Sequence, residues 1–270
     1  MAQCKDSKRF CDAFKCGTPG YLPRHDPDAA ETPRWGTYGE PLAEAFMVRG
    51  ANYLKDRKKR PSGPALCKLA GVDMLKDAKK PPLKLGERPN GICSRLVSSE
   101  GLVFVVNMVL PTPSYYVSAA IYWIVPNAST LSDPADVALR ARVQEFCDSL
   151  TDQQRDDVMK IVPRMVEGPW VAKHAVGQKP ALLGHAITTA YHSGPGWFEM
   201  DVDVSSSSTA AGALRILKSC SKSLVMDLAF VLEGQTPDAL PEKILGTVEW
   251  NHFDLDPDNS PVIKVCGEDN

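Results

Sequence analysis

The chain of 270 residues lacks any apolar run of about twenty residues, so the sequence predicts no membrane-spanning helix. Its formal net charge is only -2, and the lack of a basic surplus argues against nucleic acid as a partner. The first residues show neither the apolar core of a signal peptide nor the acid-poor composition of a transit peptide. We therefore expect a cytoplasmic protein, in which only a local basic patch would meet an anionic partner.

Common catalytic and cofactor motifs are also missing. The sequence contains no GxxxxGK[ST] loop and no GxGxxG loop, which argues against nucleotide binding, and no GxSxG elbow. Cys4, Cys11 and Cys16 with His25 could supply four zinc ligands, but they lack the paired short spacings of zinc sites. Independent reduced thiols explain them better, so we expect no metal and no cofactor.

Two long apolar runs are the first positive signal. Residues 102–110 and 115–125 each have the length of a strand, and prolines separate them, so they predict a β-hairpin. Because both runs are apolar on both faces, we expect the hairpin to be covered on both sides, by other elements or by a ligand cavity. Asn107 is the one amide in the first run, and a hydrogen-bonded core position is favoured over a binding role.

Capping signals predict the helices. A short helix is predicted over 64–75, and Asp133-Pro134 is typical of the start of a longer one. Thr151 and Gln154 fit a capping box that opens a second helix, predicted to carry Val158, Ile161 and Val162 on its apolar face. These helices are expected to lie on a sheet.

Residues 164–217 concentrate His, Trp, acidic and Ser residues. We predict three adjacent antiparallel strands over 170–176, 185–192 and 197–204, with a tight turn at 193–196. The serines at 205–208 then predict the start of a helix that runs through Leu217. The walls of any pocket are expected to come at least as much from the earlier hairpin as from this stretch.

Carboxylates alternate with apolar residues on the third of these strands, which places Glu199, Asp201 and Asp203 on one face. The favoured interpretation is a solvent-facing side paired with Lys or Arg. The alternative is a general acid and base that work with His185 or His192.

Two further charged features have open alternatives. Asp227 lies within an apolar strand and needs a partner, for which Arg49, Lys173 and Arg215 are candidates. The basic run at 55–60 suits phosphate or an anionic membrane surface, although a solvated loop is the favoured interpretation.

Several short segments occur in one order along most of the chain. They are FMVRG at 46–50 with NYL and Asp56, the Asn107 strand, IVPRMVEGPWV at 161–171, AVG at 175–177, KP at 179–180, LLG at 182–184, EMDVD at 199–203, DLAF at 227–230 and LPEKILG at 240–246. This set resembles the C-terminal domain of the plant Enhanced Disease Resistance 2 family. The resemblance implies an association with lipids, because that domain follows pleckstrin-homology and START lipid-transfer domains. It transfers no catalytic residues.

The leading hypothesis is a noncatalytic module that binds a lipid or another hydrophobic small molecule in a cavity between a sheet and its helices. Apolar walls are expected from the aromatic residues of the strands, and Arg49, Lys173 or His174 is expected to hold a head group. The full set of candidate ligand-binding residues is Arg49, Phe104, Asn107, Tyr116, Tyr122, Trp170, Lys173, His174 and Phe230. A membrane surface and a protein are further candidate partners, and the module could be peripheral to membranes. The alternatives are a scaffold subunit and a hydrolase-type enzyme that uses Glu199, Asp201 and Asp203.

The element order predicts an α+β fold, with a curved antiparallel sheet of about seven strands packed with helices. A helix-grip, START-like layout is the expected arrangement by analogy. We expect an N-terminal arm over 1–45, the domain over 46–255 and a surface tail over 256–270.

Overall fold

The structure is a computed structural model that describes residue 24 and residues 36–89, 91–97, 101–112, 114–177, 179–255 and 264–265. The strands are β1 (Thr37–Gly39), β2 (Met47–Arg49), β3 (Lys59–Pro61), β4 (Lys68–Asp77), β5 (Gly101–Pro111), β6 (Tyr116–Pro126), β7 (Met159–Glu167), β8 (Ala181–Leu182), β9 (Thr188–Gly194), β10 (Trp197–Asp203), β11 (Val225–Leu232), β12 (Gly246–Asn251) and β13 (Lys264–Val265). The α-helices are α1 (Tyr53–Asp56), α2 (Ile92–Leu96), α3 (Pro134–Asp148), α4 (Asp152–Asp156), α5 (Trp170–Val176), α6 (Leu183–Ala186) and α7 (Ser208–Cys220).

The strands form two large sheets and a two-stranded ribbon of β2 and β3. The six-stranded sheet has the order β13-β4-β6-β5-β10-β9, and the five-stranded sheet has the order β1-β12-β11-β7-β8. Pairing is antiparallel except for β10 on β5 and β13 on β4. The predicted α+β class is thus confirmed, with the strands divided among three sheets instead of one sheet of about seven. The START-like layout stays a prediction.

The main core lies between the two large sheets. Phe104, Trp123 and Phe198 reach it from the six-stranded sheet, and Phe230 reaches it from the five-stranded sheet. Trp123 meets Phe230 edge to face with ring centroids 5.2 Å apart, and Phe104 stacks on Phe198 at 5.5 Å. Phe146 of α3 closes this end of the core against Phe198. Aromatic rings therefore fill one end of the space between the sheets.

The predicted hairpin of β5 and β6 is confirmed, with Asn107 opposite Ala120 and Met108 opposite Ala119. Since side chains alternate across a strand, Asn107 and Met108 lie on opposite faces of the six-stranded sheet. The inner face meets the five-stranded sheet. The outer face carries α2 and the 3-10 helix Leu85–Glu87.

Capping explains where the predicted helices begin. The Asp133 carboxylate accepts a hydrogen bond from the Ala135 amide at the start of α3, as predicted. The capping box of Thr151 and Gln154 is likewise confirmed at α4. The predicted continuation of that helix through Val162 is wrong, because these residues form β7, which pairs with β11.

Two other predictions of secondary structure are wrong. Residues 68–77 form β4 instead of a helix, because this segment pairs along its length with β6. Residues 170–176 form α5 instead of a strand, with Pro169 before the helix and Gly177 at φ 67° after it. The alternation of apolar residues in this stretch fits one turn of a helix as well as a short strand.

Only part of the predicted three-strand arrangement exists. β9 and β10 form the expected antiparallel hairpin, whereas residues 183–186 form α6 and the other neighbour of β10 is β5. At the N-terminal side, residues 36–45, which the sequence assigned to the arm, contribute β1, and β1 pairs with β12. Most of the predicted arm and tail lies outside the described residues.

Candidate ligand cavity

A cavity of about 630 Å³ occupies the other end of the space between the sheets. β5, β6, β7, β11 and β12 form its floor and walls, and α7 covers it. We call it the aliphatic cavity, and its lining residues are Met74, Met108, Leu110, Ala119, Ile161, Pro163, Ala175, Val176, Lys179, Ala181, Ala186, Ile187, Val204, Ser207, Thr209, Ala210, Ala213, Leu214, Leu217, Ser221, Leu224, Met226, Leu228, Trp250, Phe253 and Leu255. Most of these side chains are apolar, and only two are aromatic.

Helix α7 is the main cover of the cavity. The predicted serine cap is confirmed, because the Ser207 hydroxyl accepts a hydrogen bond from the Ala210 amide. Ala210, Ala213, Leu214 and Leu217 lie on one side of the helix and line the cavity. None of the helix residues is fully buried. The apolar side of α7 therefore faces space that the protein itself leaves unfilled.

Four hydroxyl or charged side chains line the cavity, and one of them, Ser221, follows the C-terminal end of α7. Ser207 and Thr209 lie at the start of α7, and Lys179 follows α5. Lys179 is exposed and makes no ion pair or hydrogen bond with any residue that the structure describes. A charge at the rim of an apolar cavity is the arrangement that accommodates an amphipathic molecule.

The outer face of the six-stranded sheet carries a compact polar cluster of Asn107, Ser118, His192, Glu199 and Asp201. The Asn107 amide donates to Asp201 Oδ1 at 2.6 Å and to the Pro82 carbonyl at 2.8 Å, and the Ser118 hydroxyl donates to Asn107 Oδ1. His192 Nε2 lies 3.0 Å from Asp201 Oδ2. We call this set the outer polar cluster.

The carboxylates of this cluster hold the segment 82–87 on the sheet. Glu199 accepts hydrogen bonds from the amides of Leu85 at 2.9 Å and Gly86 at 2.7 Å, and Asp201 accepts one from Lys84 at 3.3 Å. Glu199 is fully buried and Asp201 is 4% exposed. The prediction of a solvent-facing acidic strand is therefore wrong for these two residues, because a distant segment covers them.

Burial determines the electrostatics of this cluster. It raises the pKa of Glu199 to about 8, with a further contribution from the charge and hydrogen bond of Asp201, while the amides of Gly86 and Leu85 oppose the rise. Asp203, the third acidic residue, instead accepts hydrogen bonds from the amide and hydroxyl of Ser205. Since Glu199 and Asp201 bind the backbone of the chain itself, the observed role of both is structural.

Asp227 has a partner that the sequence did not single out. Its Oδ2 atom accepts a hydrogen bond from Arg164 Nε at 2.9 Å on the neighbouring strand. Arg49, Lys173 and Arg215, the candidates from the sequence, do not pair with it. Burial raises the pKa of Asp227, and the Arg164 guanidinium opposes that rise.

Arg49 belongs to a second, polar site near β2. Its guanidinium lies 2.9 Å from Glu233 and 3.7 Å from Glu242, and Lys160 lies 2.6 Å from Glu242. These groups line a cleft of about 550 Å³ that shares Ala181 and Ala186 with the aliphatic cavity. Arg49 is thus paired inside the protein and has two carboxylates beside it already.

The nine candidate ligand-binding residues do not meet at one place, and none lines the aliphatic cavity. Phe104 and Phe230 belong to the filled aromatic core, and Tyr122 lies in a separate cluster on the outer face. Asn107 is in the outer polar cluster and Arg49 is in the polar cleft. The remaining four are at the surface or near it: Tyr116 on β6, and Trp170, Lys173 and His174 on α5.

Sequence reasoning missed most of the cavity wall. The hairpin contributes only Met108, Leu110 and Ala119, whereas residues 164–217 contribute more of the lining residues. The prediction that the hairpin would supply at least as much of the wall is therefore wrong. One feature of the sequence did indicate an unfilled space beneath α7. Residues 208–220 combine small residues with leucines on one side of a helix and offer no large aromatic residue to fill the space beneath.

The basic run at 55–60 lies on α1 and β3 and is exposed to solvent throughout.

No group of three His, Cys, Asp or Glu residues within the described part of the chain could hold a metal ion. The zinc candidates Cys4, Cys11, Cys16 and His25 lie outside the described residues. Cys67, Cys93, Cys147 and Cys220 are free thiols, and burial raises the pKa of Cys93 to about 12. None of the helices in the described ranges has the length and hydropathy needed to cross a bilayer.

Two packed sheets with a helix-lined apolar cavity at one end define an α+β domain. By sequence, the chain belongs to the family described as Protein ENHANCED DISEASE RESISTANCE 2, C-terminal, whose model matches residues 38–254. It is 32% identical over 211 residues to "Protein ENHANCED DISEASE RESISTANCE 2-like" of Arabidopsis thaliana. The alignment covers 78% of this chain and 28% of that relative, so the chain spans under a third of the relative's length. No solved structure matches the chain significantly.

Proposed function

We propose that this domain is a noncatalytic module that binds a lipid or another hydrophobic molecule in the aliphatic cavity. The observation that supports the proposal is the cavity itself, which has a volume of about 630 Å³ and an apolar lining. Protein interiors are normally close-packed, so a space of this size among aliphatic side chains is unusual unless something occupies it. Its volume lies within the range of small-molecule sites, which is roughly 300–1,000 Å³.

The volume also limits the size of the ligand. The volume of about 630 Å³ lies in the middle of the small-molecule range, so the cavity accepts one ligand of that size. This matches one long acyl chain or a compact polycyclic molecule. The polar residues Lys179, Ser207 and Thr209 favour an amphipathic ligand whose charged or polar end stays near the rim.

In this proposal the aromatic residues chosen from the sequence have structural roles. Phe104, Phe230 and Tyr122 fix the sheets, and Arg49 completes an internal ion-pair group. Lys173 and His174 lie on α5, whose last residues Ala175 and Val176 line the cavity. We include a cytoplasmic location and peripheral membrane association in the proposal, because a carrier of a hydrophobic molecule exchanges it with membranes.

The two alternatives have less structural support. A hydrolase-type enzyme would need free carboxylates, whereas Glu199 and Asp201 are held by backbone amides of residues 84–86. A scaffold role stays a prediction.

The proposal is tested by native mass spectrometry of the purified protein after incubation with vesicles that contain free fatty acid. We expect retention of one ligand molecule for each chain. Ala213→Trp places an indole in the cavity, so this variant should lose most of the bound ligand.

Ala211→Trp is the matched control, because Ala211 lies on the same helix but does not line the cavity. The control should retain ligand as the natural protein does. Ligand that binds equally well to the folded Ala213→Trp variant, or a natural protein that takes up none, would overturn the proposal.

A further inference from the structure

A large apolar side chain is exposed on the helix next to the cavity cover. Trp170 at the start of α5 is 76% exposed, and its ring stacks on His174 with centroids 5.3 Å apart. Val171, immediately after it, and Val166, four residues before it on β7, are also exposed. Folding thus leaves a small apolar surface with a tryptophan, held in place by its stacking partner.

This exposed surface is continuous with the cover of the cavity. Ala172 of α5 is buried against Leu217 and Cys220 of α7, so the two helices pack directly on each other. Val176 of α5 and Leu217 of α7 also line the aliphatic cavity. Trp170 therefore lies on the outside of the same helix pair whose inner side closes the cavity.

Two sequence stretches that include α5 and α7 carry charge of one sign only. Residues 168–198 and 204–226 contain no Asp or Glu, although the whole chain carries more acidic than basic residues. Their cations are Lys173, Lys179, Arg215, Lys218 and Lys222. The first four form no ion pair with any described residue, whereas Lys222 pairs with Asp254. The cover of the cavity is therefore locally basic in a protein whose net charge is negative.

We propose that the face formed by α5 and α7 docks on an anionic lipid bilayer, with Trp170 inserted at the level of the head groups. Tryptophan concentrates at membrane interfaces, where its ring lies among head groups and acyl chains. Each Lys or Arg held near an anionic surface raises the affinity about fivefold, and the attraction decreases within the screening length of the salt. Both contributions come here from α5, α7 and the residues next to them.

The docking proposal extends the proposed function, and it rests on that function only where it concerns transfer of a ligand. Docking through the cover would place the aliphatic cavity against the bilayer, so that a hydrophobic ligand crosses between them without passing through water. Binding to the bilayer itself does not depend on whether the cavity is filled, so the two proposals can fail separately.

Vesicle flotation tests the docking face. We expect the natural protein to float with vesicles of phosphatidylcholine and phosphatidylserine, to float much less with phosphatidylcholine alone, and to release from the anionic vesicles as salt is raised. Trp170→Ala should lower the affinity for the anionic vesicles. The charge reversal Lys173→Glu with Lys218→Glu should lower it by at least about fivefold and reduce its salt dependence.

Two controls are matched to these variants. Leu42 is also 76% exposed but lies before β2, so Leu42→Ala should leave vesicle binding unchanged. The pair Lys55→Glu and Lys58→Glu makes the same charge change on the exposed basic run, and it too should retain binding.

Equal binding by Trp170→Ala and the natural protein would overturn the docking proposal, as would equal losses in the test and control charge reversals. Absence of flotation with anionic vesicles would also overturn it. Native mass spectrometry of the same samples for retained fatty acid shows separately whether the proposed cavity function holds.

Discussion

The two faces of the six-stranded sheet are formed by the same strands but are packed differently. On the outer face, Asn107, Glu199 and Asp201 are buried, and hydrogen bonds hold each of them against the segment 82–87. On the inner face, Met108 lies one residue further along β5 and borders a cavity of about 630 Å³. We infer from the difference that polar bonds stiffen the sheet from outside, while part of its inner side stays unfilled.

Removal of Asn107 should have the largest effect. Asn107→Ala removes the hydrogen-bond partner of the Ser118 hydroxyl, of Asp201 Oδ1 and of the Pro82 carbonyl in a buried region, and we expect a loss of about 3–5 kcal/mol. Urea unfolding measures it. A loss below about 1 kcal/mol would show that the outer face is not what stiffens the sheet.

The pH dependence of stability tests the same face. Because the pKa of Glu199 is raised to about 8 in the folded state, its bound proton stabilises the fold fully below the ordinary pKa of 4.5, and this stabilisation is lost as pH rises through about 8. The free energy of unfolding should fall by up to about 1.4 kcal/mol for each pH unit in this window. Glu199→Gln should flatten the slope, and an unchanged slope in this variant would contradict the assignment.

Substitution of alanine by leucine at two neighbouring positions compares how tightly the two faces are packed. Ala120 is buried on the outer face and Ala119 lines the cavity on the inner face. Ala120→Leu should destabilise by about 1–3 kcal/mol through overpacking, whereas Ala119→Leu should be neutral or stabilise by about 1 kcal/mol. Thermal unfolding of both variants makes the comparison, and equal losses would show that the inner face is as tightly packed as the outer one.

The smallest effect is expected for Met108→Ala. A methionine truncated in a filled core costs about 2–5 kcal/mol, but Met108 faces empty space on one side and has fewer contacts to lose, so we expect about 1 kcal/mol. Met200→Ala is the matched variant, because Met200 is fully buried in the filled part of the core. The loss in the free energy of unfolding, measured with urea, should be clearly larger for Met200→Ala than for Met108→Ala.

Local signals predicted much of the fold. The apolar runs of β5 and β6, the cap at Asp133, the capping box at Thr151 and the serine cap of α7 each depend on residues a few positions apart. The family was also correctly identified from short segments. The sequence of α5, in contrast, fits a strand and a helix equally, and only packing of Ala172 against α7 decides between them.

The candidate site depended on contacts that no local pattern contains. The amide of Gly86, which lies 113 residues from Glu199, covers that carboxylate and makes a predicted outer face into a buried one. The cavity arises from strands and helices that meet only in the folded chain. The sequence therefore indicated Phe104, Tyr122 and Phe230 as ligand contacts although they are packed in the interior, and it did not single out the aliphatic residues that border the cavity.

Helix α7 has no fully buried residue, and this has a consequence for local stability. An element with few buried contacts opens at a lower free energy than the sheets beneath it, so its backbone amides exchange hydrogen with solvent through opening of the helix alone. The buried central strands of the two sheets, such as β5, β6 and β11, are expected to exchange more slowly. We therefore expect α7, which lies over the cavity, to open while these strands stay folded.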